Sequence, residues 1–136
     1  MKYWLMKSEP SAYAWEQLVK DKRTGWNGVR NYQANNNMKA MAVGDRAFFY
    51  HSNEGREIVG VMEIVGPWRL DPSDDTGKFG MVDVAPVAAL KKPVTLDVIK
   101  THPLLADMVF VRQGRLSVSP VTAAEWKAIE KLGNGK

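Results

Sequence analysis

From Arg46 to Gly66 the chain reads RAFFYHSNEGREIVGVMEIVG, and this stretch decides between the fold classes open to it. RAFFYHS is rich in aromatic residues, NEGR has the composition of a tight turn, and EIVGVMEIVG resumes with β-branched residues around Gly60. Two such runs joined by a turn predict a β-hairpin. Just downstream, PWRLDPSDDTGK (67–78) carries two prolines, a glycine and three aspartates. It reads as a surface loop. FGMVDVAPVAAL (79–90) then returns to strand composition, with Pro86 bending that strand or placing it at an edge.

Working outward, KYWLMK (2–7) reads as a short strand. AWEQLVKDK (14–22) sets Trp15, Leu18 and Val19 at i, i+3 and i+4, the spacing of one helical face. NYQANNNMKAM (31–41) predicts a second short helix with Tyr32, Met38 and Met41 inward, although three successive asparagines oppose it. VTLDVIKTHPLLADM (94–108) gives a short helix and a turn, and VFVRQGRLSVSPV (109–121) reads as strand around an RQGR turn. In the final segment Thr122 N-caps, Glu125 completes a capping box, Gly133 is the stop, and Trp126, Ile129 and Leu132 face the core. Short strands interrupted by short helices, without an alternating βα repeat, predict a compact α+β barrel.

At 136 residues the chain is expected to be one domain, spanning 1–136. The absence of cysteine excludes a disulfide framework and a thiolate metal site, and two isolated histidines, His51 and His102, cannot hold zinc alone. A structural metal is therefore not expected, and the chain is expected to need no cofactor. The opening MKYWLMKSEPS lacks the apolar core of a signal peptide, and no run approaches the ~18 apolar residues of a membrane span. The expected location is cytoplasmic, or nuclear in a eukaryote, with no membrane partner and with the chain as a monomer. The formal charge of +4 is evenly spread, nine Lys and Arg against seven Asp and Glu in residues 1–68 and ten against eight in 69–136. Any contact with nucleic acid would then rest on a folded surface and neutralise few phosphates.

One stretch remains, GWNGVRNYQANN (25–36), which holds two aromatics, one arginine and five side-chain amides. Amides and arginine supply directed hydrogen bonds and aromatics supply flat faces, a combination that fits a flat polar ligand such as a nucleobase. The plainer reading is a polar loop that caps a helix and fills a barrel end.

Several segments together resemble the EVE domain family: KYWLMKSEPS, WNGVRNYQANN, VGDRAFFYHSN, IVGVMEIV, MVDV, and KPVTLDVIKTHPLLADMVFVRQGRLSVSPVTAAEW. The resemblance runs from residue 2 to about residue 126. It implies a PUA-like fold, a mostly antiparallel β-barrel with flanking short helices, related to PUA, ASCH and YTH domains. It also implies binding of RNA, or of DNA with modified bases, without catalysis. MKS (6–8), Trp26, FFY (48–50) and GVMEI (60–64) are similar to YTH readers in the same order, and there the matching tryptophan belongs to the cage around the methylated base. Where EVE proteins commonly show Ala-Tyr-Pro-Asp-Pro, this chain has WRLDP (68–72), so Trp68 is weighed as a replacement aromatic or as a cover for the barrel end.

On these grounds the expected partner is a nucleic acid with a modified base, or a modified nucleotide. Trp26 would stack, Gly28 allow close backbone approach, Val29 form an apolar wall and Asn31 read a base edge. Arg30 would meet a phosphate or stack, and Tyr32 act as wall or donor. Lys7 and Ser8 join the pocket by the family's KSEP segment, and Tyr50, His51 and Ser52 are pocket candidates weighed against local structural roles. Arg112 and Arg115 would clamp phosphates, with Leu116 and Ser117 running down the wall. The alternative function is a small ASCH-like amidohydrolase acting on a modified nucleoside. Lys7 with Glu9 or Glu63 is its nominated acid and base pair.

Overall fold

The hairpin expected from RAFFYHS and EIVGVMEIVG is present as β3 (Arg46–His51) and β4 (Glu57–Leu70) in the computed structural model, which describes residues 1–134. Around it lie β1 (Tyr3–Ser8), β2 (Thr24–Gly25), β5 (Gly80–Thr95) and β6 (Val118–Val121). Five helices complete the fold: α1 (Trp15–Asp21), α2 (Tyr32–Lys39), α3 (Leu96–Thr101), α4 (Val109–Arg112) and α5 (Ala123–Gly133). The six strands form one sheet in the order β2-β5-β4-β3-β1-β6, antiparallel everywhere except at the parallel pair β1–β3.

The expected barrel is corrected here, because the sheet is open. Two-residue β2 pairs only with β5, and four-residue β6 pairs only with β1, so the edges do not meet. The edge strands, of two and four residues, offer few backbone groups for closure, and helices cover both faces of the sheet. Trp4, Met6, Phe49 and Met62 point to one side, where Trp15 and Leu18 of α1 and Met38 of α2 cover them. Leu5, Phe48, Tyr50 and Ile58 point to the other, under Ile99, Phe110 and Trp126. Alternate residues of β1 and β3 thus enter opposite cores, which is why AFFY is apolar without a break.

β4 and β5 are long, and their ladder breaks register at four places. Pro86 stands opposite Met62 beside one of these breaks, and the donor it lacks falls beyond the short stretch that β2 pairs. Gly60 is fixed by packing, since a Cβ there would lie 2.6 Å from the ring of Trp15.

Other local expectations shift. Val19 and Tyr32 are exposed rather than inward. Residues 109–112 form a helical turn, so strand begins only at Val118 and RQGR is no hairpin. Thr122 and Glu125 do form the capping box, but α5 runs through Gly133 and ends at Asn134.

Candidate functional site

Parallel pairing of β1 with β3 sets Lys7 beside Tyr50 and Ser8 beside His51. The segments KS and YHS, far apart in sequence, therefore finish at the same end of the sheet. Ser52 N–H donates to the Ser8 carbonyl at 3.0 Å and ties the two ends together. From one side comes the segment after β2, with Trp26 N–H donating to the Val82 carbonyl at 2.8 Å. From the other comes the segment after α4, where Lys7 N–H donates to Ser117 O at 2.8 Å and Lys7 Nζ to Gly114 O at 2.9 Å.

Two cavities open at this end, and Lys7 lines both. The larger, about 460 Å³, lies between Lys7, Ser8, Tyr13, Trp26, Asn27 and Gly28. Trp26 is only 7% exposed and meets Phe49 edge-on at 5.3 Å between ring centres, so it is at once core and cavity wall. Tyr13 is held by its hydroxyl, which donates to Asp21 at 2.8 Å; burial and that carboxylate both push the phenol pKa up. Ser8 Oγ is engaged locally, donating to the Tyr13 carbonyl at 2.7 Å. The smaller cavity, about 240 Å³, lies between Lys7, Tyr50, Ser52, Arg56, Lys100 and Phe110.

Two of the five amides of the 25–36 stretch, Asn31 and Asn35, serve the fold, as does Asn37 just beyond it. Asn31 caps α2 by accepting from Ala34 N–H at 2.9 Å. Asn35, 2% exposed, accepts from Trp68 Nε1 and Gly80 N–H at 2.9 and 3.0 Å, and Asn37 donates to Val118 O at 2.8 Å. Three successive asparagines are tolerated in a helix because two of them pin it to neighbouring strands. Trp68 accordingly lies against Gly80, with Lys39 Nζ 4.7 Å from its ring centre, and lines neither cavity.

Arg30, Val29 and Tyr32 also stand outside both cavities. Val29 is buried in the core, and Tyr32 lies exposed against Phe79. Arg30 donates to Asp71 at 3.2 Å and to Ser73 Oγ at 3.0 Å. Asp71 was not singled out in the sequence, yet it holds the loop. Its carboxylate, with no exposed side-chain surface, accepts from Gly28 N–H at 2.8 Å, Arg30, and Ser73 N–H and Oγ at 2.8 and 2.7 Å. Burial alone would raise its pKa, but these donors bring it down to about 2. Gly28, at φ +83° with open space around it, has the freedom this geometry needs. Asp-Pro-Ser after a strand was the available signal, an aspartate poised to take the N–H two residues on.

His51 accepts the Trp15 N–H on Nε2 at 3.1 Å, serving as cap for α1, whose own N-cap residue is Ala14. Arg112 pairs with Asp107 at 3.2 Å, Arg115 is exposed, and Leu116 is buried in the core. As for the acid and base pair, Glu63 stands opposite Arg46, four residues back along β3 from Tyr50. That offset separates it from Lys7 by on the order of 13 Å. Glu9 is exposed. No cluster of three metal-ligating side chains occurs among the described residues, and no helix there is long and apolar enough to cross a membrane.

Comparison with known proteins follows the same outline. The EVE domain family model matches residues 2–132. Thymocyte nuclear protein 1 of Rattus norvegicus is 39% identical, covering 96% of this chain and 73% of that protein. The solved structure of Rpa0253 from Rhodopseudomonas palustris is 52% identical with a TM-score of 0.92, covering 98% of this chain and 93% of the other. Human THYN1, solved in complex with 5-methylcytosine-containing DNA, is 33% identical with a TM-score of 0.89, covering 100% and 99%. At 16% identity and a TM-score of 0.61, the YTH domain of Zygosaccharomyces rouxii MRB1 protein shares the fold.

Proposed function

The chain belongs to the EVE domain family, and from that premise we propose that it is a binding module for nucleic acid carrying a modified base, acting as a single copy and without catalysis. The observation that carries this reading is the 460 Å³ cavity walled by Trp26 and Tyr13. Its volume falls within the ~300–1,000 Å³ typical of small-ligand sites. A base taken out of its stack needs an aromatic face and a few polar groups at its edge. Trp26 supplies the face. Exposed Asn27 at the rim is better placed than Asn31 to read the edge, because Asn31 already caps α2. Lys7 and Ser8 close the floor, and Gly28 lets the backbone come close.

Human THYN1, which shares this fold, was solved with 5-methylcytosine-containing DNA, and that makes methylated cytosine in DNA the first candidate. The expected cytoplasmic or nuclear location accompanies this reading. The test is a panel of short oligonucleotides with 5-methylcytosine, 5-hydroxymethylcytosine, N6-methyladenine or N4-acetylcytosine, each against its unmodified partner. One modification should bind more tightly than its partner at constant salt. Equal affinity across the panel overturns the reading.

A further inference from the structure

The smaller cavity differs from the larger in both size and charge. At about 240 Å³ it lies below the ~300–1,000 Å³ range of small-molecule sites and suits a single group rather than a base with its sugar. Three cations line it, Lys7, Arg56 and Lys100, and no carboxylate does. The ion pairs of the described residues involve Arg23, Arg30, Arg46, Arg69 and Arg112, so none of these three is neutralised by a salt bridge. Tyr50 and Ser52 add hydroxyls at the wall. Asp97 lies near enough to act on Tyr50, but it does not line the cavity.

Lys7 joins this space to the base cavity. Its ammonium carries three donors, and one is spent on Gly114 O at 2.9 Å. The remaining two point to no acceptor among the described residues, while Phe110 and Tyr50 hold the group at 5.6 and 5.9 Å from their ring centres. Burial already brings the Lys7 pKa down, and a neighbouring anion would offset that cost.

We infer that the smaller cavity is a phosphate site, taking one phosphodiester of the strand whose modified base enters the larger cavity. The inference rests on the proposed nucleic-acid reading, and Lys7 is the partition between base and backbone. Arg112 and Arg115, the pair nominated from sequence, are not its walls. Arg56 and Lys100 take that part.

The test is the double substitution R56Q/K100Q, which spares Lys7 and leaves intact the Arg56 carbonyl that accepts from Leu96 N–H at 2.9 Å. Affinity for a modified oligonucleotide and for its unmodified partner should fall by the same factor. Because the two side chains share one phosphate, the slope of log affinity against log salt should shrink by about one. Between about 50 and about 200 mM salt, the advantage of wild type over the variant should then narrow roughly threefold. An unchanged slope overturns the inference, and so does a loss confined to the modified oligonucleotide, which would make the cavity part of base reading. A titration with inorganic phosphate, followed through the amide resonances of residues 52–56, separates the sources. If those resonances respond to free phosphate while the salt slope with oligonucleotides stays unchanged, the site serves a free anion and the strand assignment fails. Wild type that shows no preference for any modification, but whose slope drops on R56Q/K100Q, sinks the modified-base reading and with it the link to the larger cavity, while the smaller cavity stands as a phosphate site for a nucleic-acid strand.

Discussion

Asp71 concentrates more of the site's order than any residue that contacts the larger cavity. It joins Gly28, Arg30 and Ser73 through one buried carboxylate, and its pKa of about 2 against 3.8 corresponds to roughly 2 kcal/mol. The folded value is the lower one. Its contribution is therefore fully present above about pH 4 and is lost as pH falls through about 2. Asp71→Asn should lower stability by about 2 kcal/mol near neutral pH, and the gap to wild type should close in acid; denaturant melts at several pH values would show it. A gap that stays constant with pH would mean that the charge of Asp71 contributes nothing. Trp26 calls for a different experiment, because a residue that is both wall and core loses both roles when truncated. Trp26→Ala should cost about 3–5 kcal/mol of stability. Trp26→Phe keeps a ring in the core, so it should melt closer to wild type while binding the modified oligonucleotide less tightly. Unaltered binding by a folded Trp26→Phe protein would remove the indole from base stacking.

Among the elements, α2 and α1 are held by caps of opposite origin. Asn31 caps α2 from within, so Asn31→Ala should cost about 0.5–2 kcal/mol without changing the preference between modified and unmodified oligonucleotides. A changed preference would return Asn31 to the base edge. His51 caps α1 from β3, and Gly60 leaves the space in which Trp15 lies against the sheet. Gly60→Ala should therefore displace α1, lowering the melting temperature and reducing the hydrogen-exchange protection of residues 15–21 before that of α5. These contrasts explain which elements the sequence disclosed. The hairpin and α5 carry their own signals, an NEGR turn and a Thr122–Glu125 capping box. The β-branched residues of 109–112 favour strand, yet the segment is a helical turn with Phe110 buried against Tyr50. The site was legible as segments, KS, WNG and YHS. It was not legible as a partition into two cavities, because which side chains are already engaged by Asp71, Trp68 or Ala34 depends on contacts far apart in sequence.

At the scale of the whole molecule, several carboxylates act in the same direction. The pKa of Asp45 is held down against burial by Ala42 and Lys2 backbone N–H groups and the Trp4 indole, and that of Asp83 by Arg69 and Arg23. With Asp71 they predict a protein whose stability falls below about pH 4, as the unfolded chain takes up protons that the folded one excludes. Circular dichroism melts across that range should show the drop, and a flat profile would contradict these pairings. The strand order carries a separate consequence for assembly. Tyr3 of β1 sits between Arg46 of β3 and Val121 of β6, so the strand near the start of the chain lies inside the sheet and waits on partners from its middle and its far end. A nascent chain would hold Leu5 and Met6 along a bare edge until the final strand arrives, and loop-closure entropy opposes that last pairing. During those moments the molecule's vulnerable surface is the free edge of the strand that later carries Lys7 and Ser8 to the binding end, so the late arrival of β6 sets how long that edge stays open to association with neighbouring chains.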